Sequence, residues 1–269
     1  MHPVQRLIWL TDIHLDFVDP ADFARLCQSL VDQHPDAILL GGDISTAPRL
    51  CDDLTELSQR LKGPVYFVLG NHDHYHGAIS SVRQAVQRLV DNQPNLHWLS
   101  AADIVPLGKE SCLLGHGGWG DGRLGDYAGS TVELNDYYLI NELAGLDKAT
   151  RLTRLQELGA EAAAHLDRLL PQALERFVHV LVLTHVPPYR EACWHRGALS
   201  DDNYLPHFSC GATGEALSRW AARFPQRRLT VLCGHTHSPG SAQIAPNLLV
   251  RTGGAQYGSP APVATIQVD

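Results

Sequence analysis

Short apolar runs that stop abruptly at glycine or polar residues set the strongest limit on how this chain can fold. The clearest, Val65-Tyr66-Phe67-Val68-Leu69, predicts a buried strand and stops at Gly70-Asn71-His72-Asp73. Four others stop the same way. Arg6 to Leu10 precedes Thr11-Asp12-Ile13-His14, and Ala37 to Leu40 precedes Gly41-Gly42-Asp43. Phe177 to Leu183 precedes Thr184-His185, and Arg228 to Leu232 precedes Cys233-Gly234-His235-Thr236-His237. Amphipathic helical patterns separate the early runs: Phe23, Leu26 and Leu30 within 20–33, then Leu50, Leu54, Leu57 and Leu61 within 48–62, then Ile79, Val82, Val86 and Leu89. Such alternation implies right-handed βαβ units and a largely parallel sheet. In open α/β sheets, ligands bind beyond the carboxyl ends of the strands, where all five polar clusters fall.

After residue 95 the pattern changes. Residues 96–99, 103–106 and 111–115 predict short strands with no long helix between them, hence a second sheet region or antiparallel pairs. The loop His116-Gly117-Gly118-Trp119-Gly120-Asp121-Gly122 fits neither a dinucleotide nor a Walker pattern. Residues 131–147 are expected to be helical. Residues 150–170 carry the clearest helix, with Leu152, Leu155, Leu158, Leu166 and Leu169 on one face. Residues 186–212 lack periodicity, and a long irregular loop in a compact domain is usually functional or disordered. A helix near 213–223 and strands at 241–245, 247–252 and 262–268 complete the chain.

Length allows one large core, and residues 1–269 are expected to form a single domain with specificity insertions near 116–147 and 186–212. The formal net charge of -8 argues against broad nucleic-acid or anionic-membrane binding. It leaves room for an anionic substrate if divalent cations reverse the local field. No apolar run is long enough to span a bilayer. The apolar Leu7-Ile8-Trp9-Leu10 is too short for a signal-peptide core. The six cysteines show no CxxC spacing, so they are expected to be reduced thiols in a cytoplasmic protein.

The strand ends offer carboxylate, carboxamide and imidazole groups: Asp12, His14, Asp43, Asn71, His185, His235 and His237. Mixed oxygen and nitrogen donors suit Mn, Fe, Zn, Co or Ni. In an extended segment, residues i and i+2 point the same way, so Asp12 with His14 and His235 with His237 could each aim into one cleft. Seven donors exceed the needs of one four-coordinate ion. Two ions roughly 3.5–4 Å apart, sharing a carboxylate, would use them all. A lone Asp-x-His or Gly-Asp turn is common and usually structural; five such turns at five strand ends in one chain call for a joint explanation.

These motifs, DxH, GD, GNHD, a separated His and GHTH in that order over residues 12–237, resemble those of the calcineurin-like metallophosphoesterases. The resemblance implies a four-layer α/β/β/α sandwich with two central mixed β-sheets. It implies two divalent transition-metal ions, one held by Asp12, His14, His237 and a bridging Asp43, the other by Asp43, Asn71, His185 and His235. It further implies attack on phosphorus by a hydroxide between the metals. His72 is then the catalytic residue that gives a hydrogen bond or proton to the leaving oxygen. Thr46 stands where purple acid phosphatases carry a tyrosine. Ile44 to Pro48 also departs from the GDxVDRG of protein Ser/Thr phosphatases, which leaves open what orients His72. The remaining motifs look more like phosphodiesterase-type and cyclic-nucleotide-type members.

The expected activity is that of a phosphodiesterase or phosphatase on a small or medium phosphoester. A nuclease of the same fold is the first alternative, weakened by the acidic charge. A non-catalytic metal-bound scaffold is the second, weakened by the complete ligand set. His116, Arg190, His195 and Arg196 are the expected substrate contacts outside the metals. Asp73 is expected to fix its turn, one of His74, Tyr75 and His76 to line the cleft, and Trp119 and Asp121 to help form its wall.

Overall fold

The computed structural model describes residues 6–268. Strands β1 (Arg6–Leu10), β2 (Ala37–Leu40), β3 (Val65–Phe67) and β4 (Leu96–Trp98) run parallel in one sheet. The last strand, β13 (Ala264–Gln267), closes it antiparallel to β1. The second sheet is centred on β6 (Ser111–Gly115), β7 (His179–Leu183), β10 (Arg228–Cys233) and β12 (Leu248–Thr252), all parallel. Its edges, β5 (Val105–Pro106) and β11 (Gly240–Ala245), are antiparallel. Both sheets are therefore mixed, as expected.

Alternation along the strands builds the layers. On β1, Ile8 and Leu10 face helices α1 (Pro20–Asp32), α2 (Ala47–Arg60) and α3 (Ile79–Asn92) through Phe23, Leu54 and Val86. Leu7 and Trp9 face the other way and meet Leu113, Leu181, Leu183 and Leu232 of the second sheet. That sheet's other face, with Val180, Val182 and Val231, packs on α5 (Lys148–Arg176) and α7 (Gly211–Arg223). Helix, sheet, sheet and helix are thus stacked in four layers. Strands buried on both faces carry continuous apolar runs, which is why they were legible.

Several boundaries shift. The expected helix over 131–147 contracts to α4 (Asp136–Leu139), and the rest is irregular. The segment takes its shape from distant partners. Leu139 O accepts from His76 N (2.8 Å), Gly77 O from Asn141 N (3.0 Å), and the Glu142 carboxylate from Ile79 N at the start of α3 (2.7 Å). Helix α5 extends to 29 residues. The loop 186–212 holds a small hairpin, β8 (Trp194–His195) with β9 (Ala198–Leu199), and the short helix α6 (Leu205–Phe208). No helix among the described residues is long and apolar enough to cross a membrane.

Candidate metal centre

The carboxyl ends of β1, β2, β3, β7 and β10 converge on one cleft. Ligand atoms of Asp12, His14, Asp43 and His237 all lie within 4.8 Å of one another, and so do those of Asp43, His185 and His235. Asn71 joins the second group, its Oδ1 3.1 Å from His185 Nε2. Asp43 is common to both, with Oδ2 3.9 Å from His14 and Oδ1 3.4 Å from His185.

The backbone that delivers these groups is not extended. Asp12, His14, Asp43, His235 and His237 have φ between 41° and 70°, and they are five of the eight non-glycine residues with positive φ among those described. Two-residue spacing therefore does not work through strand alternation. Left-handed turns just past the strands aim the side chains, a geometry that Asp and His tolerate better than branched residues. The flanking glycines serve by leaving room. A Cβ on Gly70 would strike the Asp43 carboxylate and the His185 ring, and one on Gly234 would strike the Asp12 carboxylate.

Hydrogen bonds away from the cleft fix which imidazole nitrogens are lone pairs. His185 donates Nδ1–H to Gly41 O (2.9 Å), so its Nε2 is bare. His235 donates Nε2–H to His207 O (3.2 Å), so its Nδ1 is bare. These two bare nitrogens face each other at 3.2 Å, and the His185 one also faces the Asn71 and Asp43 oxygens. Acceptors aimed at acceptors repel unless a cation lies between them. Burial, with the neighbouring charges, holds His14 and His235 down to about 3, so both rings are neutral at neutral pH, the state in which an imidazole can bind a metal. Burial and the nearby Asp12 and Asp73 carboxylates push Asp43 well above the usual carboxylate range, a strain that bound cations would reverse. Burial also opposes ionisation of Asp12, but the His237 hydrogen bond, the pull of the neighbouring imidazoles and the Thr11 hydroxyl outweigh it and lower its pKa. The donor set fits a pair of divalent ions.

His72 packs its ring on Tyr75, centroids 4.1 Å apart, and sets Nε2 3.9 Å from Asp43 Oδ2. Tyr75 answers what orients His72, for its hydroxyl donates to Asp136 Oδ1 at 2.7 Å. The same Asp136 oxygen accepts from Asn71 Nδ2 at 2.8 Å, which turns the Asn71 oxygen toward the ligand cluster. Asp136 is buried and lies in the segment where only a helix was expected. No local signal marked it, because its partners are 61 and 65 residues away. Asp73 fixes its turn, accepting from Ile44 N, Ser45 N and Gly70 N at 2.8–2.9 Å.

The cleft, about 370 Å³, is also lined by Tyr75, Glu133, Leu134, Phe208 and Tyr257. Of the four expected substrate contacts, only His195 lines it. Arg190 is exposed and bound to Asp202 at 2.6 Å. Arg196 occupies the turn between β8 and β9 with φ 51°, and does not line the cleft. His116 is buried beside His165, its Nδ1 taken by Gly118 N at 3.1 Å. Asp121 caps α7 through Gly211 N and Ala212 N (3.0 and 2.9 Å). Trp119 packs among Tyr75, Tyr127 and Tyr137 in a satellite core. Neither residue borders the cleft.

A family model described as calcineurin-like phosphoesterase matches residues 5–239. No curated protein matches the sequence. Among solved structures, the chain is similar to a phosphopantetheinyl hydrolase from Mycobacterium tuberculosis, at 16% identity and a TM-score of 0.67, covering 96% of this chain and 92% of that one. It is also similar to a dimetal phosphatase from Danio rerio, at 16% identity and a TM-score of 0.59, covering 98% and 92%. At such identities the likeness concerns the fold.

Proposed function

The chain belongs to the calcineurin-like phosphoesterases, hydrolases of phosphoester bonds that use two divalent metal ions, and from that premise we propose a residue-level account of its site. One ion would be held by Asp12, His14, Asp43 and His237, and the other by Asp43, Asn71, His185 and His235. The observation that carries this reading is the pair of ligand clusters sharing Asp43, with bare imidazole nitrogens facing other acceptors. When bound, two cations offset phosphoryl charge and lower the pKa of water, so that a nucleophile is available near neutral pH.

The chain's own residues then position the ester and manage its proton. Gly41 and His207 carbonyls hold the His185 and His235 rings in the tautomers that bind metal. His72, seated on Tyr75 and facing the cleft, gives a hydrogen bond or proton to the departing oxygen. Residues 116–147 and 186–212 act as specificity insertions. The first supplies Glu133, Leu134 and Asp136 to the cleft and the second His195 and Phe208. The substrate is a small or medium phosphoester, in keeping with a cleft of this size. The six cysteines are all unpaired, which supports a reducing, cytoplasmic setting.

The test is turnover of p-nitrophenyl phosphate and bis(p-nitrophenyl) phosphate by chelator-treated protein with Mn, Fe, Zn, Co or Ni restored. Activity should return only with metal, and Asp43→Ala or His235→Ala should abolish it while the circular dichroism is kept. Normal turnover by either variant refutes the assignment. For His72→Ala, the loss should be smaller on p-nitrophenyl than on alkyl esters; equal losses argue against the acid role.

A further inference from the structure

The cleft is poor in cationic groups. No lysine or arginine lines it among the described residues. Its walls carry instead the buried Asp136 and the carboxylate of Glu133, which Arg151 meets at 3.3 Å. Arg190 is committed to Asp202. A first phosphoryl charge has the two cations to meet it. A second anionic group on the same molecule would meet the Asp136 and Glu133 carboxylates, apolar surface and the side chains of Asn135, His195 and Thr236, with no lysine or arginine to offset its charge, and like charges in a partly buried cleft repel.

One side of the cleft mouth is aromatic: Tyr257 lines the cleft, and Phe17 packs on Tyr257 just outside the lining. Phe17 is 58% exposed and Tyr257 46% exposed, two of the five large apolar side chains left open among the described residues. Their rings pack on each other, centroids 4.9 Å apart, and Tyr257 lies 4.4 Å from the His14 ring. Phe17 follows the Asp12–His14 turn in a short 3-10 helix, and Tyr257 comes from the loop after β12. Two exposed rings, inclined at 59° to each other at the edge of a polar site, offer an apolar surface to a flat or apolar group. Leu134 and Phe208 extend the apolar lining.

We propose that the site takes a phosphodiester bearing a single negative charge, with a flat or apolar substituent lying on the Phe17–Tyr257 pair, and that it discriminates against esters carrying a second anionic group. This inference rests on the dimetal reading above and adds the substrate's charge and shape. Nucleic-acid strands, with a phosphate at each step, are disfavoured on the same ground.

The experiment uses the full chain loaded with Mn2+ and bis(p-nitrophenyl) phosphate as the reporter. Diphenyl phosphate and dimethyl phosphate are compared as competitive inhibitors. Diphenyl phosphate should bind at least about tenfold more tightly, and Phe17→Ala or Tyr257→Ala should each shrink that ratio several-fold. The kcat/KM for p-nitrophenyl phosphate, a dianion, should fall below that of the diester, and Leu134→Lys should narrow the gap. Equal inhibition by the two diesters in the unaltered protein, or a dianionic monoester preferred over the diester, overturns the proposal. Absence of metal-dependent turnover on every ester defeats the dimetal reading itself, an outcome distinct from turnover without selectivity.

Discussion

Asp136 Oδ1 and Asn71 Nδ2 are joined by a buried hydrogen bond of 2.8 Å, and the same oxygen takes the Tyr75 hydroxyl at 2.7 Å. One carboxylate oxygen thus orients Asn71, the proposed ligand of one ion, and the ring on which His72 rests. Asp136→Leu should weaken binding of one of the two ions about 10- to 100-fold, the usual effect of losing such a partner, and leave the other nearly unchanged. Mn2+ titration by calorimetry reads the two steps separately. Tyr75→Phe should keep both steps and lower turnover instead. Equal weakening of both ions in Asp136→Leu would show general unfolding rather than positioning.

Metal removal should cost stability as well as activity. With the ion in 100-fold excess over its Kd, binding contributes about 2.7 kcal/mol per site. At about 2–4 °C per kcal/mol for a chain near this size, losing both ions to a chelator should lower Tm by roughly 10–20 °C. Asp43→Asn lacks the shared carboxylate, so added Mn2+ should barely move its Tm. Differential scanning calorimetry of both proteins with and without Mn2+ is decisive, and a full Mn2+ shift in the variant would contradict a bridging role.

Gly70→Ala should damage the site although no ligand is changed. Its methyl group would collide with the Asp43 carboxylate and backbone N and with the His185 ring, none of which is the free end of a flexible chain. Overpacking of this kind costs about 1–3 kcal/mol. Reduced urea midpoint together with reduced Mn2+ affinity is expected. A variant with unaltered affinity would mean that Asp43 has slack the geometry does not suggest.

Acid should destabilise the fold through His116, a buried histidine outside the ligand set. Burial, aided by His165 and Arg83, holds His116 down to about 3, against an ordinary 6.5. Between these values the unfolded chain binds a proton that the folded chain refuses. The stabilisation is therefore complete above pH 6.5 and is lost as pH falls toward 3, at up to about 1.4 kcal/mol per pH unit. His116→Asn should flatten the decline in urea midpoint between pH 6.5 and 5 by one group's share. Parallel declines in the two proteins would remove His116 from the account.

The elements carrying the site were legible because their signals are local. A strand buried on both faces is a continuous apolar run, and the turn beyond it displays its donors within a few residues. Asp136, Tyr257 and Phe17 were not legible because they act through contacts formed only in three dimensions. The expected helix over 131–147 failed for the same reason, since Glu142 and Leu139 are held by the 76–80 backbone rather than by their own turns. Residue type also misled at Arg190 and Arg196. A guanidinium in a loop near a phosphoester site suggests a phosphate contact, yet one is bound to Asp202 and neither borders the cleft.

The left-handed backbone at Asp12, His14, Asp43, His235 and His237 sets heat resistance against activity. Each such residue carries about 1–2 kcal/mol of conformational strain that glycine would relieve. A laboratory selection for thermal survival of the metal-free chain would drift toward glycine at these places and yield a protein sturdier without metal but inert, having given up the stability that bound ions supply. His34, with φ 48° and outside the cleft, could accept the same exchange without that sacrifice.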